Sequence, residues 1–303
     1  MYDHQAKKLN EQGTFKEIVV EISARQLSAK SETLRQMSMF LTQAVFMEVC
    51  VHPKPGLVTR HGSGAHTDMS ILTFAAGSAV LAKAFSDLQI LGMKHNGNYQ
   101  ELFGKVRRYG VSAEQELLRV TKGVNTQRGI LFAGGLLAAA AGAALNKGLD
   151  SEALCSIVAE MTQGLTENEL SGLQADRPLT AGERLYQAYG ITGIRGEVEA
   201  GFPSVRQNGL PGLKEAFAKG AGLNDALVHA LVHLMTVVQD SNVIWRGGYA
   251  KLPFVQQRAR DILAQGSIFT DSGRRLLAES EELFRNEPVS YTHLRAHETR
   301  SNL

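Results

Sequence analysis

This sequence of 303 residues has few cysteines and a net charge close to zero. Its two cysteines, Cys50 and Cys155, lie within helical patterns and lack the spacing of a metal site, which argues against a disulfide framework and is typical of a reducing compartment. The 32 basic and 30 acidic side chains leave a net charge of +2, so the overall charge does not indicate a nucleic-acid or membrane partner. Any binding of an anion must therefore come from local groups of cations.

Long apolar runs are also few. Residues 1–14 form a polar N-terminal extension without the apolar region of a secretion signal, so we expect a cytoplasmic protein. The stretch 129–145 carries no charge, but alanine and glycine dominate it, where a membrane-spanning helix normally has more leucine, isoleucine and phenylalanine. We interpret this stretch as a central helix packed closely on all sides.

The alternation of a strand is nearly absent, whereas the three- and four-residue spacing of helices recurs along the chain, most clearly from Ala226 to Val238. Helices are predicted at 16–50, 68–92, 98–109, 112–121, 127–146, 151–164, 180–190, 211–219, 223–239, 253–265 and 271–285. The sequence therefore predicts an all-α fold: a single compact multi-helix domain over residues 15–286, with a composite active site lined by loops.

The most informative loop covers residues 53–69, between two predicted helices. Its two prolines and three glycines favour a turn-rich backbone that exposes N–H groups. Lys54, Arg60 and His66 add cationic donors, and Asp68 adds a carboxylate near the start of the next helix. This combination suits an anion held with a metal ion, with His66 contacting the ligand or transferring a proton. The alternative is an ordinary interhelical loop.

Three further segments, residues 121–129, 193–203 and 240–248, also combine a small, flexible backbone with charged side chains at the end of an apolar helical pattern. Together with 53–69 we call them the four polar islands, and we predict that they form one site. In the third island the flanking glycines favour an extended backbone, on which Glu197 and Glu199 would face the same side. Such a pair can bind Mg²⁺ or divide acid and base roles; a solvated loop pair is the alternative.

Two histidines on a predicted helix, His229 and His233, are four residues apart and would share one face, as zinc ligands often do. No glutamate follows the first histidine to complete a His-Glu-x-x-His motif, and the neighbouring sequence offers no obvious third ligand. We therefore interpret both histidines as core side chains.

Six ordered elements carry a resemblance to a known family. They are Pro-Lys-Pro-Gly-Leu-Val at 53–58, Gly-Ala-His-Thr-Asp-Met at 64–69, Gly-Val-Asn-Thr at 123–126, Leu-Thr-Ala-Gly-Glu-Arg-Leu-Tyr at 179–186, Gly-Ile-Arg-Gly-Glu-Val-Glu-Ala-Gly at 193–201, and Asp-Ser-Asn-Val followed by Arg-Gly-Gly within 240–248. Over about residues 38–285 the chain resembles the triphosphoribosyl-dephospho-CoA synthases, which make the prosthetic-group precursor of citrate lyase. Thr59, Gln127 and Ser241 depart from the residues usual in that family.

The end of the chain departs further. The family pattern closes with a glycine-rich segment and a last apolar helix, whereas this chain becomes rich in histidine and arginine after residue 286. We interpret residues 287–303 as a non-native tail that replaces the family's ending, with a genuine solvated tail as the alternative.

The resemblance implies an enzyme that transfers the triphosphoribosyl moiety of ATP to the ribose 2′-hydroxyl of 3′-dephospho-CoA and releases adenine, with Mg²⁺ accompanying ATP. It further implies that the product passes towards an acyl-carrier subunit, and it suggests no nucleic-acid or membrane partner. One alternative is the same reaction in the service of malonate decarboxylase. Another is a non-catalytic, nucleotide-binding helical protein.

The resemblance also assigns roles to the polar islands. The predicted catalytic residues are Glu197, as base or oxocarbenium-stabilising carboxylate, its partner Glu199, and His66. The predicted Mg²⁺ ligands are Asp68 and Asp240, although the sequence leaves open which carboxylate has which role. The predicted substrate- and phosphate-binding residues are Lys54, Gly56, Arg60, Gly64, Asn125, Thr126, Arg128, Arg195, Gly196, Asn242 and Arg246.

Overall fold

The computed structural model describes residues 30–171 and 178–286. Within these ranges the regular secondary structure is helical, apart from an isolated antiparallel bridge between Thr59 and Gly62. The prediction of an all-α domain is confirmed. The N-terminal extension at 1–14, the first half of the helix predicted at 16–50, the tail at 287–303 and the side chain of Arg246 lie outside the described part of the chain.

Thirteen α-helices lie within the described residues, and the first polar island occupies the 20-residue connection between the first two. In chain order they are α1 (30–50), α2 (Ile71–Met93), α3 (Tyr99–Val120), α4 (Arg128–Lys147), α5 (Ala153–Met161), α6 (Leu165–Leu170), α7 (Ala181–Tyr189), α8 (Gly193–Glu199), α9 (Leu210–Ala218), α10 (Leu223–Met235), α11 (Ser241–Gly247), α12 (Lys251–Ala264) and α13 (Asp271–Asn286). A π-helical turn, Val205–Gly209, precedes α9, and a 3₁₀ turn, Ser267–Phe269, precedes α13.

The first core forms where α2 and α4 pack with almost no side chain between their backbones. A Cβ atom on Gly92 would lie 1.9 Å from the carbonyl oxygen of Ala139, and one on Gly142 would lie 1.9 Å from that of Gln89. Only glycine permits this approach, which brings larger side chains such as Phe85 into the surrounding core with α3, α5 and α8.

Helices α2 and α4 are long and apolar enough, by length and composition, to cross a membrane. In the structure they pack on each other within this core. The prediction of a central small-residue helix at 129–145 is confirmed for residues 135–144, nearly all of which are buried. Its first turn, around Gly129, is partly exposed.

A second core lies in the C-terminal half, between α9, α10, α12 and α13. Val228 and Val232 of α10 meet Ile262 of α12 and Leu277 of α13, and all four side chains are buried. The chain at the end of α1 joins both cores: Val45 belongs to the first, and Val51, directly after the helix, belongs to the second. The second core therefore positions the end of α1 and the polar island that follows it.

Three predictions of local structure were wrong. Helix α3 runs without a break through Gly110, where two helices were predicted. The short helices α6 and α11 were not predicted. Glu197 and Glu199 lie on α8 rather than on an extended segment, so their side chains diverge by about 200°. Gly201 was expected to favour an extended backbone, but with φ +70° it terminates α8. The N–H of Phe202 donates to the carbonyl of Glu197 and so closes the last turn of the helix.

Candidate functional site

The first polar island, residues 53–69, folds back on itself as a compact loop. The N–H of Ala65 donates to the carbonyl of Gly56, and the N–H of Thr59 donates to the carbonyl of Gly62. Gly56 and Gly64 both have positive φ, and a Cβ on Gly64 would lie 2.4 Å from the carbonyl oxygen of Leu57. These glycines are therefore required by the backbone of the loop itself.

The two cations of this island hold the end of α1. Lys54 is only 4% exposed, and its Nζ donates to the carbonyl of Glu48 at 2.7 Å and to Glu48 Oε1 at 2.6 Å. Arg60 donates from Nη1 to the carbonyl of Cys50 at 3.1 Å and to Asn224 Oδ1 at 2.8 Å. The last carbonyls of a helix have no partner within the helix, and these two side chains satisfy them.

The same island brings His66 and Asp68 together. Their Nδ1 and Oδ1 atoms are 3.9 Å apart, with the His66 side chain 7% exposed and that of Asp68 34% exposed. Asp68 does not cap the next helix, because α2 begins at Ile71 and Ser70 is its N-cap. The carboxylate of Asp68 is therefore partly exposed and is not used as the cap of α2.

The second island packs against the first. Val124 contacts the small apolar cluster that includes Val58 and Met69. Next to it, Thr126 Oγ1 and Gln127 Oε1 are buried and have no hydrogen-bond partner among the described residues. Buried polar atoms are nearly always paired, so these two atoms indicate a place where water or a ligand completes the contacts.

Gln127 is buried against α2 of the first core. Its Nε2 donates to Ser78 Oγ at 3.3 Å, and a Cβ on Gly77 would lie 2.1 Å from its Oε1. Of the neighbouring predicted residues, Asn125 is exposed and Arg128 forms an ion pair with Glu114.

In the third island Arg195 is already engaged by a carboxylate. Its Nε donates to Glu169 Oε2 at 2.6 Å, and Glu169 also pairs with Arg107 of α3. Gly196 lets the side chain of Thr192 pack against the first turn of α8, because a Cβ at position 196 would lie 2.0 Å from Thr192 Oγ1. The cation and its carboxylate tie α8 to α6.

The two glutamates of this island have different environments. Glu197 accepts hydrogen bonds from the N–H and the hydroxyl of Ser204, both at 2.9 Å. Glu199 accepts from the N–H of Gly164 at 2.7 Å and from the N–H and hydroxyl of Thr166 at 3.0 and 2.5 Å. Glu199 thus occupies the N-terminal end of α6, where backbone N–H groups lack helical partners.

The pKa of Glu199 reflects this position. Partial burial raises the pKa, but the hydrogen bonds from Thr166 and Gly164 outweigh it, so the pKa of Glu199 lies below the usual value for glutamate. A lowered pKa in the folded state means that the carboxylate stabilises the fold above the ordinary glutamate pKa. That contribution is lost as pH falls through the lowered value.

Replacing Glu199 with glutamine is therefore expected to lower the free energy of unfolding at neutral pH, and the difference from the unmodified protein is expected to shrink as the solution becomes acidic. Urea denaturation at a series of pH values measures it. Glu167→Gln, which changes an exposed glutamate of α6, the helix whose N-terminal end Glu199 holds, is the matched control. A loss that did not vary with pH would contradict the capping role of the Glu199 carboxylate.

The fourth island lies beside α7 and the chain just before the third island. Ile244 of α11 packs with Leu185 of α7, with Ile191, two residues before the third island, and with Leu252 of α12. Asp240 caps α11, since its Oδ1 accepts from the N–H groups of Asn242 and Val243 at 2.8 and 3.2 Å. The side chain of Asn242 is exposed.

The contacts thus bring the first island against the second, and they place the fourth island beside Ile191, in the chain just before the third. Sequence reasoning missed the side chains that hold them: Glu48, Glu169, Ser204 and Asn224. No sequence motif identifies these residues, because the role of each is a hydrogen bond or ion pair with a residue that the folded chain places next to it. The union of all four islands in one site stays a prediction.

The chain is similar to proteins of known name. A family model described as ATP:dephospho-CoA triphosphoribosyl transferase matches residues 34–290. A probable 2-(5′′-triphosphoribosyl)-3′-dephosphocoenzyme-A synthase of Malonomonas rubra is 40% identical over 78% of this chain and 77% of its own length. The synthase of Klebsiella pneumoniae is 37% identical over 86% of each chain, and a probable synthase of Streptococcus mutans is 35% identical over 77% of this chain and 83% of its own. No solved structure matches the chain.

Proposed function

Since the chain belongs to the family of ATP:dephospho-CoA triphosphoribosyl transferases, we propose that its polar islands bind ATP and 3′-dephospho-CoA and carry out the transfer. The family's reaction joins the triphosphoribosyl moiety of ATP to the ribose 2′-hydroxyl of 3′-dephospho-CoA and releases adenine. The product is the prosthetic-group precursor of citrate lyase. We place this reaction in the cytoplasm, with the product passing on towards an acyl-carrier subunit.

The chemistry is glycosyl transfer, and it needs three kinds of group. Breaking the bond between adenine and ribose develops positive charge on the sugar, which a fixed carboxylate stabilises. A base must take the proton of the 2′-hydroxyl, and adenine needs a proton or a strong hydrogen bond as it leaves. The triphosphate needs cations.

Glu197 is our candidate for the carboxylate that acts in the chemical step. Two hydrogen bonds from Ser204 hold it in one orientation, as a preorganised charge requires. Glu199 receives three hydrogen bonds at the start of α6, and we assign it to positioning α8 rather than to the reaction. His66, beside Asp68, is our candidate for the proton donor to adenine.

The residues proposed for Mg²⁺ fit a hard cation, because Asp68 and Asp240 offer carboxylate oxygens. Asp68 has its side chain partly exposed, and Asp240 is fixed at the start of α11. When bound, the ion would neutralise charge on the triphosphate. Arg60, Arg128, Arg195 and Arg246 would supply the remaining positive charge, with the exposed amides and glycine N–H groups of the islands as further donors. Lys54, buried against Glu48, is assigned instead to holding the end of α1.

The observation that carries the proposal is the family match across residues 34–290, which includes all four islands. The direct test is adenine release from ATP, followed by chromatography, with and without 3′-dephospho-CoA. Release that depends on both substrates supports the transferase. ATP binding without any release would instead favour a non-catalytic nucleotide-binding protein.

Arg195→Ala is expected to weaken ATP binding by about 10-fold or more, because a charge-assisted hydrogen bond contributes about 1.5–3 kcal/mol. Only its Nε is engaged with Glu169, and the guanidinium has four further N–H groups for phosphate. Isothermal titration with ATP and Mg²⁺ measures the change. Arg35→Ala, which removes an exposed arginine also paired with a glutamate, should cost far less. Equal losses would exclude Arg195 from the nucleotide site.

A further inference from the structure

Away from the four islands, helices α9 and α10 bring three metal-ligating side chains together. Glu215 of α9 and His229 and His233 of α10 each offer one ligand atom, and these atoms all lie within 4.8 Å of one another. The Nε2 atoms of the two histidines are 3.1 Å apart, and Glu215 Oε2 lies 3.6 Å from His229 Nε2 and 3.8 Å from His233 Nε2. The third ligand that the sequence did not reveal is thus supplied by the preceding helix.

These spacings suit a tetrahedral ion. Zinc bound at about 2.0–2.1 Å places neighbouring ligand atoms about 3.3–3.4 Å apart. The observed separations of 3.1, 3.6 and 3.8 Å lie on both sides of that value. Shifts of a few tenths of an ångström in side chains would therefore complete the three ligand positions.

The surroundings orient these atoms towards one point. His229 is 3% exposed, and its Nδ1 lies 2.9 Å from Ser267 Oγ, which directs Nε2 towards the cluster. The close approach of α9 to α10 at Gly212, where a Cβ would lie 2.6 Å from His233 Cδ2, fixes the second imidazole. A hydrogen bond to the other ring nitrogen is the usual support of a metal-bound histidine.

The carboxylate of Glu215 divides its two oxygens between two partners. Oε1 accepts a hydrogen bond from Lys219 Nζ at 2.6 Å, whereas Oε2 is the oxygen nearest both histidines. The lysine therefore orients the carboxylate and leaves the ligand oxygen directed at the imidazoles. With 42% of the Glu215 side chain and 25% of the His233 side chain exposed, an ion can reach the cluster from solvent.

We propose that Glu215, His229 and His233 form a binding site for a divalent ion of the zinc class, separate from the nucleotide site. Two imidazoles and one carboxylate are ligands that such ions favour over Mg²⁺. Three protein ligands leave the fourth position to water or another small ligand. Without an ion, the same two imidazoles share a hydrogen bond between their Nε2 atoms, and this arrangement is the one the proposal must be tested against.

Titration with Co²⁺, followed by its visible absorption and then by displacement with Zn²⁺, tests the site on the full chain after treatment with a chelator. One equivalent of Co²⁺ should bind with the spectrum of a four-coordinate ion. His233→Gln should weaken binding by at least about 100-fold and Glu215→Gln by about 10-fold or more, since each removes a direct ligand. Zn²⁺ should raise the melting temperature of the unmodified protein but not of His233→Gln.

Glu116→Gln, which alters an exposed glutamate on α3, is the matched control and should bind Co²⁺ as the unmodified protein does. If His233→Gln does not fold, Co²⁺ binding by Glu215→Gln tests the site instead, because the Glu215 side chain is partly exposed and its replacement should be tolerated. Absence of Co²⁺ binding by the unmodified protein, or equal binding by Glu215→Gln and Glu116→Gln, would overturn the proposal. These measurements do not use adenine release, so the metal site and the proposed transferase activity are tested independently of each other.

Discussion

Gly142→Ala is expected to destabilise the protein by about 3 kcal/mol, a value at the upper end for overpacking in a core. The new Cβ would lie 1.9 Å from the carbonyl oxygen of Gln89 and 2.8 Å from the backbone nitrogen of Met93. Both are backbone atoms within a helix and cannot rotate away as a side chain would. Helices α2 and α4 must therefore separate, which loosens the first core. Chemical denaturation monitored by circular dichroism measures the loss.

Gly110→Ala is the matched control, because Gly110 also lies within a helix but a Cβ there would meet no atom within 4 Å. Alanine has the higher helix propensity, so this change should stabilise the protein by about 0.5–1 kcal/mol. The two variants carry the same chemical change and should move stability in opposite directions. Similar shifts in both would mean that α2 and α4 are not as closely packed as described.

Glu197→Gln is expected to lower the rate of adenine release by about 100-fold or more while leaving ATP affinity nearly unchanged. A base, or a charge that stabilises the oxocarbenium-like state, acts mainly in the transition state, so its loss appears in kcat. Glutamine keeps the size of the side chain and can still accept from Ser204, so α8 should remain in place. Steady-state release assays and ATP titration on the same preparation separate the two effects.

Glu116→Gln, exposed and distant along the chain, controls for the general effect of removing a carboxylate. Unchanged turnover in Glu197→Gln would remove this residue from the chemistry. A fall in ATP affinity as large as the fall in kcat would make Glu197 a residue of ground-state binding instead.

Much of the fold was predictable because the long helices have a strong apolar period. Helix α10 begins at Leu223, as the spacing predicted, and α4 agrees to within a residue at each end. The short helices that were missed have one physical cause. A helix of seven residues such as α8 is too short to show a period, and its stability comes from tertiary contacts and from the glycine that ends it. Local sequence carries little of that information.

The candidate site was predictable only where its members are close in sequence. His66 and Asp68 are two residues apart and do lie side by side. Arg60, in contrast, donates to Asn224 across 164 positions, and Arg195 pairs with Glu169 across 26. Glu215 likewise reaches the two histidines only because α9 packs on α10. Such partners are fixed by the packing of helices, and no spacing rule identifies them.

The position of α1 between the two cores has a consequence for how the protein opens. Val45 and Val51 are six residues apart, yet each is buried in a different core, and Arg60 fastens the intervening helix end to Asn224. A local fluctuation that exposes one core must therefore displace α1, which also packs in the other core. Amide protons in α4 and α10 should therefore exchange with solvent through one shared opening, so that a nucleotide bound beside the first island would slow exchange in both halves of the molecule.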